Sequence, residues 1–353
     1  YAELASLVPI SGSAYTYSYA TFGELVAWII GWDLMLEYGV GSIAVSLSWS
    51  GYFQGFLHGF GIEFPAWAAI DFRSAFQGFE KASAMLASGT TFDQLTPALR
   101  HAWTAMHGAP HIFGLPIVCN LPASLVVLFL TVILVVGIQE SARFNYVIVA
   151  IKLAVLGFFI VIGAPHVKPE NWVPFAPNGF AGIKAAAAIA FFAYIGFDVV
   201  STAAEETKNP KRDVPIGIIG SLIVATLIYM SVAAVFTGLI PFPALKAAMT
   251  SEKAEPLAYA LRSINLGWAA GIIAFGAIAA QLAVLLVLQM GQSRIFFSMA
   301  RDGLLPKTFA RVHPRFKTPH VTTLVTGGIT ALVAAFTNIE EMIDLTNIGT
   351  LFA

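Results

Sequence analysis

Long apolar stretches separated by polar connections dominate the chain. Eight of them, named segments A to H, lie at 24–47, 121–138, 145–163, 181–203, 215–239, 269–292, 320–337 and from 341 onward. Most approach the roughly 20 residues that a helix needs to cross a bilayer. Backbone groups have no other hydrogen-bond partner in lipid, and hydrophobicity does not alternate with the period of two that is typical of a β-barrel. The pattern predicts an all-α, polytopic transmembrane helical bundle, with a single transmembrane domain fragment spanning 1–353.

The composition narrows the function classes. Hydrophobic residues make up 58% of the 353 positions and charged residues only 11%, against about 25% in a typical soluble domain. A soluble enzyme is therefore nearly excluded. The net charge of -1 offers no basic field for nucleic acid. The single cysteine, Cys119, rules out an internal disulfide framework. Because the chain begins at Tyr1 and stops in an apolar run, we expect it to be a fragment of a longer membrane protein.

The basic residues predict an orientation. Ten Lys and Arg residues lie in the B–C, D–E and F–G connections with their flanks, and eight lie in the longer A–B, C–D and E–F connections. The first set is roughly three times denser, which places it on the cytoplasmic side by the positive-inside rule. The N-terminal end is then cytoplasmic, in a multi-pass protein of the cell membrane.

The A–B connection, residues 48–120, is long and is predicted to be a partly helical outer loop. It contains His101, His107 and His111. A metal site there is conceivable, but their spacing matches no helical histidine pair, and solvated histidines are the preferred interpretation. We expect no metal and no cofactor.

Segment D carries the first polar signal at membrane depth. Gly196 and Asp198 follow the aromatic run Phe191–Phe192. Intramembrane ionisable residues indicate function by default. An interrupted helix here would free backbone groups at the midplane, as in the binding sites of secondary transporters. An intact helix with one glycine for close packing is an equally open alternative.

Three further sites attract attention. Lys152 lies roughly 10 Å into segment C, where it could snorkel to the interface or act as a buried amine that exchanges a proton.

Asp33 and Glu37 share one face of segment A and must avoid lipid. Glu37 could meet a cationic ligand group or simply be a hydrogen-bonded structural acid. Segment F carries polar residues that are expected to form interhelical hydrogen bonds: Gln281, Gln289 and Gln292.

Three stretches together resemble one known superfamily. They are YAELASLVPISGSAYTYSYATFGELVAWIIGWDLMLEY, FFAYIGFDVVSTAAEETKNPKRDVPIGI and QSRIFFSMARDGLLP. They are similar to the amino acid–polyamine–organocation superfamily of transporters, and in particular to its cationic amino acid transporter branch, among bacterial-type amino acid permeases. The resemblance implies a leucine-transporter-type inverted-repeat fold, here partial. Segments A, D, F and H would be the third, sixth, eighth and tenth helices, with the first helix and most of the second absent.

The resemblance also implies site residues. The helix break would span Phe192 to Gly196, with the carbonyl groups of Phe192, Ala193 and Ile195 accepting from the substrate α-ammonium and the Phe192 side chain acting as a gate. Lys152 matches the lysine that replaces a sodium ion in proton-dependent relatives. The remaining residues of the substrate-binding set are Tyr194, Asp198, Glu37 and Met290. An acid at Glu37 favours cationic substrates and the Met290 wall favours small neutral ones, so the substrate stays open.

The sequence therefore predicts a proton-coupled amino acid permease that works by alternating access. Its partners would be an amino acid, a proton and the lipid bilayer, and no nucleic acid. An amino acid exchanger of the same fold is the main alternative. An integral-membrane enzyme would need a nucleophile–base pair or a metal-ligand set at one depth, and a channel would show ligand-independent currents.

Overall fold

A computed structural model describes residues 2–8, 10, 12–112, 114–194, 196–202, 204, 207–249, 256–339, 341–342 and 345. The helices of this described part are, in chain order, α1 Ala2–Leu7, α2 Ala14–Phe22, α3 Glu24–His58, α4 Phe72–Ala87, α5 Pro97–Gly108, α6 Leu121–Val136, α7 Ile138–Gly163, α8 Gly179–Phe191, α9 Val199–Thr202, α10 Pro210–Leu239, α11 Phe242–Met249, α12 Pro256–Ser263, α13 Gly267–Arg301 and α14 His320–Phe336. The strands described are β1 His111–Ile112 and β2 Leu115–Pro116, which form an antiparallel hairpin. The all-α prediction is confirmed.

Several helices are longer than the apolar segments predict. Segment A continues as α3 to His58, and segment F continues as α13 to Arg301. Segment C begins at Ile138 instead of 145, and segment E begins at Pro210 instead of 215. The added turns carry polar residues that hydropathy discounts, although the backbone continues its hydrogen-bonding pattern through them. Segment H lies almost wholly outside the described residues.

Three of the described helical stretches are long and apolar enough to cross a membrane by themselves. They are Tyr146–His166, α10 and α13. The helices α6 and α14 are equally apolar but shorter, at 16 and 17 residues. At 35 residues, α3 is about 52 Å long, but it carries acids along its first half. The bundle therefore combines helices that carry long apolar runs with α3, whose acids require cover from other helices.

The seam between α3 and α13 holds the bundle together, and glycines let these two antiparallel helices approach closely. A Cβ added at Gly31 would lie 2.6 Å from the sulfur of Met299, and one added at Gly39 would lie 2.5 Å from Nε2 of Gln292. From the other side, a Cβ at Gly291 would lie 2.9 Å from the ring of Tyr38. From Gly31 to Gly39 along α3, the partner on α13 falls in residue number, from Met299 to Gln292. The helices are therefore antiparallel, and the pairs fix which residues face each other across the seam.

The connection predicted as an outer loop is an ordered subdomain, residues 59–120, built on α4, α5 and the hairpin. Asn120 links this subdomain to the bundle. Its side-chain oxygen accepts from Ser50 Oγ at 2.6 Å, and its backbone N–H donates to the Ala335 carbonyl at 2.8 Å. Asp71 caps α4 by accepting from the Ser74 amide at 2.8 Å. Burial raises the pKa of the Asp71 carboxyl above its ordinary value, against the opposing effect of that amide.

Candidate functional site

Segment D is interrupted, as one of the two sequence interpretations predicts. Its first half, α8, ends at Phe191, and a 3-10 turn follows over Phe192–Tyr194. Gly196 has a φ of +101°, a conformation that glycine adopts without the steric penalty of a side chain. The second half, α9, begins at Val199. Ile195 and the side chain of Phe192 lie outside the described residues, so the predicted gate is not described.

The break is attached to α10 through its 3-10 turn. The hydroxyl of Tyr229 donates to the Ala193 carbonyl at 2.9 Å. The hydroxyls of Tyr194 and Thr226 are 3.0 Å apart, and the rings of Tyr194 and Tyr229 meet edge-on at 5.3 Å. The Ala193 carbonyl, for which the family resemblance implies a contact with the substrate ammonium, thus accepts from a protein hydroxyl in this structure.

The second half of segment D is attached to α3 and α13, and its Val200 also packs against α10. Asp198 is only 5% exposed and accepts from the hydroxyls of Ser13, at 2.8 Å, and of Tyr38. Val199 fills the space beside Gly291, 3.2 Å from where a Cβ would lie. At the far end of α9, Nη1 of the buried Arg294 is 3.5 Å from the Thr202 carbonyl. Asp198 therefore anchors this half of the segment at its start, and Arg294 at its end.

These attachments indicate where segment D can bend. The turn that follows α8 contacts α10, whereas the second half of the segment contacts the α3–α13 seam through Asp198 and also packs against α10 through Val200. A movement of α8 relative to α9 can be absorbed between residues 192 and 198, where the backbone has lost its regular helical pattern. The two ends of segment D can therefore move relative to each other without breaking an intact helix.

Glu37 and Met290 each lie next to a residue that contacts this second half. Glu37 precedes Tyr38 and is 6% exposed; it already interacts within the protein. The helical repeat puts it on the same face as Val40 and Ala44, which pack in one cluster with Ala334 and Met342. Met290 packs against two apolar clusters, one containing Tyr38 and the other containing Trp49. Glu37 and Met290 are therefore each one position along the chain from a contact of the second half, and Glu37 lies on the face of α3 that packs against α14.

Lys152 is half-buried in the middle of α7. Ile148 and Ile151 of the same helix pack against Ala279 and Ala283 of α13. One turn beyond Lys152, Leu156 lines an apolar cavity of about 230 Å³ together with Tyr229. The amine is therefore carried by a helix face next to the side chain that contacts the break.

Polar atoms that still lack a partner are concentrated on α3 and α13. Gln289 accepts from Thr131 at 3.1 Å and Gln292 donates to the Met35 carbonyl at 3.1 Å, as expected for interhelical glutamines. In the described part of the chain, buried side-chain atoms on these two helices remain without a protein partner in Asp33, Ser42, Trp49, Gln281, Gln289 and Gln292. Such groups are costly in a dry interior, so water or a polar ligand is expected along this seam.

The three histidines do not form a metal site. His107 stacks on Trp103 with ring centroids 4.2 Å apart, and its Nδ1 is 3.0 Å from the Trp103 carbonyl oxygen. Within the ranges that the structure describes, no three His, Cys, Asp or Glu residues are grouped closely enough to hold an ion.

The sequence interpretation missed four residues that position the break: Ser13, Tyr38, Tyr229 and Arg294. Asp198 was the available signal for the first two, because a buried carboxyl group needs hydrogen-bond donors. Tyr38 stands next to Glu37, but a tyrosine in an apolar helix does not stand out by itself. Arg294 had been counted only as a basic residue of a cytoplasmic flank.

Comparison with known proteins decides the family. The family model for "amino acid permease" matches residues 1–353. The chain belongs to this family. The resemblance to the amino acid–polyamine–organocation superfamily is thereby confirmed, and the chain is a multi-pass membrane transport protein and not an enzyme.

The relatives of this permease carry different names. The branched-chain amino acid permease BcaP of Bacillus subtilis is 45% identical over 353 residues, which is all of this chain and 67% of that protein. The methylthioribose transporter of the same organism is 43% identical over the same shares. The vacuolar cationic amino acid transporter 4 of Arabidopsis thaliana is 33% identical over 359 aligned residues, covering all of this chain and 52% of that protein.

Proposed function

We propose that this permease carries an amino acid across the cell membrane by alternating access, with its N-terminal end in the cytoplasm. The observation that carries the proposal is the interruption of segment D between α8 and the buried second half that begins at Asp198. Unwound backbone at membrane depth is tolerated only where it is buried in protein or lines a cavity. There its amide and carbonyl groups can bind the two charged groups that all α-amino acids share.

The way the break is held supports a moving part. Its turn is bonded to Tyr229 of α10, and its second half is bonded to Tyr38 and Arg294 of the α3–α13 seam. In the proposed cycle, α9 separates from the seam to open one side, and the turn rearranges against α10 to open the other. A substrate ammonium that binds the Ala193 carbonyl would displace the Tyr229 hydroxyl and so couple binding to the second movement.

A neutral, apolar amino acid is the proposed substrate class. BcaP is named as a branched-chain amino acid permease and shares 45% identity. Met290 lies between two apolar clusters, whereas Glu37 is buried and already interacts within the protein. A cationic amino acid is the second candidate, because cationic amino acid transporters are also relatives and Glu37 carries an acid. Proteoliposome uptake of labelled leucine, arginine and methylthioribose compares one substrate for each of the three kinds of transporter after which the relatives are named.

We further propose that transport is coupled to a proton that Lys152 binds and releases. A lysine amine that loses and regains a proton inside the bundle alternates between a fixed cation and a neutral group, which biases one orientation of the helices. Uptake driven by an inward proton gradient is expected in the wild type and lost in Lys152→Ala. The matched control is Lys168→Ala, which removes an exposed lysine from the connection after α7.

Two results would contradict the coupling. Gradient-driven uptake that survives Lys152→Ala would remove the role of the lysine. Uptake that requires an amino acid inside the vesicle, with no response to the proton gradient, would make the permease an exchanger.

A further inference from the structure

The connection between α13 and α14, residues 302–319, forms a rigid turn structure that we call the basic loop. The Leu304 amide donates to the Met299 carbonyl at 3.0 Å, and the His313 amide donates to the Thr318 carbonyl at 2.8 Å. The Thr318 hydroxyl donates to the Val135 carbonyl of α6 at 2.8 Å. Local bonds and a bond to a neighbouring helix therefore fix the loop against the end of the bundle.

The loop separates apolar from charged side chains. Its half-buried apolar residues face the bundle: Leu304 and Leu305 pack on the cluster that contains Met299, and the ring of Phe309 lies 4.8 Å from that of Phe296. The exposed residues include four cations, Lys307, Arg311, Arg315 and Lys317. Val312 lies next to Arg311 and is 46% exposed, so an apolar side chain stands among the charges.

Within its own sequence, the basic loop carries four exposed cations against a single acid. Asp302 is the one acid between positions 301 and 320. Its carboxyl group accepts from the Tyr15 hydroxyl at 2.8 Å. The protein as a whole has a formal charge of -1, so the loop is more positively charged than the rest of the chain.

We propose that the basic loop binds the anionic headgroups of phospholipids in the cytoplasmic leaflet. The loop joins two apolar helices of the bundle, which places it at the level of the headgroups. Cations near an anionic leaflet are attracted to its negative surface potential. A rigid loop makes this contact without losing conformational freedom on binding, and Val312 can enter the boundary between headgroups and acyl chains. The inference rests on the proposed orientation, in which this loop is cytoplasmic.

The test compares two variants that each lose two cations. Arg311→Gln/Lys317→Gln alters the basic loop, and Lys81→Gln/Lys168→Gln alters exposed lysines of the opposite predicted side. The purified protein is titrated with phosphatidylglycerol or phosphatidylcholine in detergent, and native mass spectrometry counts the bound lipid. Each cation near an anionic surface is worth about fivefold in affinity. The loop variant should therefore bind phosphatidylglycerol about 25-fold more weakly, while the control variant binds it like the wild type.

Equal phosphatidylglycerol binding by both variants and the wild type would overturn the proposal, and so would an equal loss of phosphatidylcholine binding. Retention of a co-purified acidic protein on the loop in place of lipid would overturn it as well. Should the double variant fail to fold, Arg311→Gln and Lys317→Gln are measured singly, each with an expected loss of about fivefold. Because binding is counted without transport, failure of the proposed transport function leaves the readout intact.

Discussion

Replacing Tyr38 with phenylalanine should release the second half of segment D from the α3–α13 seam. The change removes the hydroxyl that donates to the buried Asp198 and leaves the aromatic ring against Gly291. A hydrogen bond to a charged group contributes roughly 1.5–3 kcal/mol. The docked arrangement of α9 should lose that amount relative to an undocked one, which corresponds to a shift of about 10- to 150-fold in the docking equilibrium.

A cysteine at position 201 reports the undocking. Ser201 lies in α9 and is fully buried in the docked arrangement, so Ser201→Cys should react slowly with a membrane-impermeant maleimide. The native Cys119 is replaced by alanine in every variant. Adding Tyr38→Phe should raise the labelling rate by roughly the same 10- to 150-fold, provided that docking and undocking are faster than the reaction.

Tyr229→Phe is the matched control, because it removes a hydroxyl that contacts the Ala193 carbonyl before the break instead of Asp198 after it. Its labelling rate at position 201 should stay at the reference value. In an Asp198→Ala background, the effect of Tyr38→Phe should disappear, since the two changes then remove the same bond. Equal labelling rates in the Tyr38 and Tyr229 variants would refute the claim that this bond holds α9 in place.

Three further outcomes follow from the packing. Gly291→Ala should lower the thermal stability by about 1–3 kcal/mol, because the added methyl group overpacks against Tyr38. Gly271→Ala, which adds a methyl group in open space on the same helix, should be neutral or stabilising. Identical unfolding temperatures of the two variants would contradict this. The side-chain oxygen of Asn120 also caps α6 by accepting from the Ala123 backbone N–H at 3.2 Å. Asn120→Ala removes this cap, worth about 0.5–2 kcal/mol, and should speed hydrogen exchange in the 59–120 subdomain; unchanged exchange would contradict it. Asp71 has a raised pKa, so its burial destabilises the fold increasingly as pH rises above the ordinary carboxyl value. Asp71→Asn should stabilise the protein at neutral pH and lose this advantage in acid, and a gain independent of pH would be inconsistent.

The apolar pattern was sufficient to predict the long helices of segments A to G, because bilayer-crossing length and continuous hydrophobicity are local properties. The short helices α1, α2, α11 and α12 lack such an apolar run and were not predicted. Gly196 and Asp198 marked segment D as unusual, but the pattern left an intact helix equally open, and the bounds of the break came from the family resemblance. Helix ends were less accurate: Ile138 and His58 extend helices through polar turns, which hydropathy scores as loops although the backbone remains helical.

The partners of the break could not be predicted from the sequence. Ser13 and Tyr38 reach Asp198 across 185 and 160 positions, and Tyr229 reaches Ala193 only after α10 has folded back beside the break. Contacts of this kind depend on the packing of whole helices. The face on which Glu37 lies is similar: its spacing from Asp33 indicates a shared face, but only the packing of α14 shows what covers it.

Hydrogen exchange of the amides between residues 189 and 202 tests the central claim most directly. We predict that amides between 192 and 198 exchange much faster than those of α8 when no ligand is present, and that a transported amino acid slows them selectively. Exchange across the whole stretch at one slow rate, unaffected by saturating amino acid, would contradict both the open backbone and its role as the binding site.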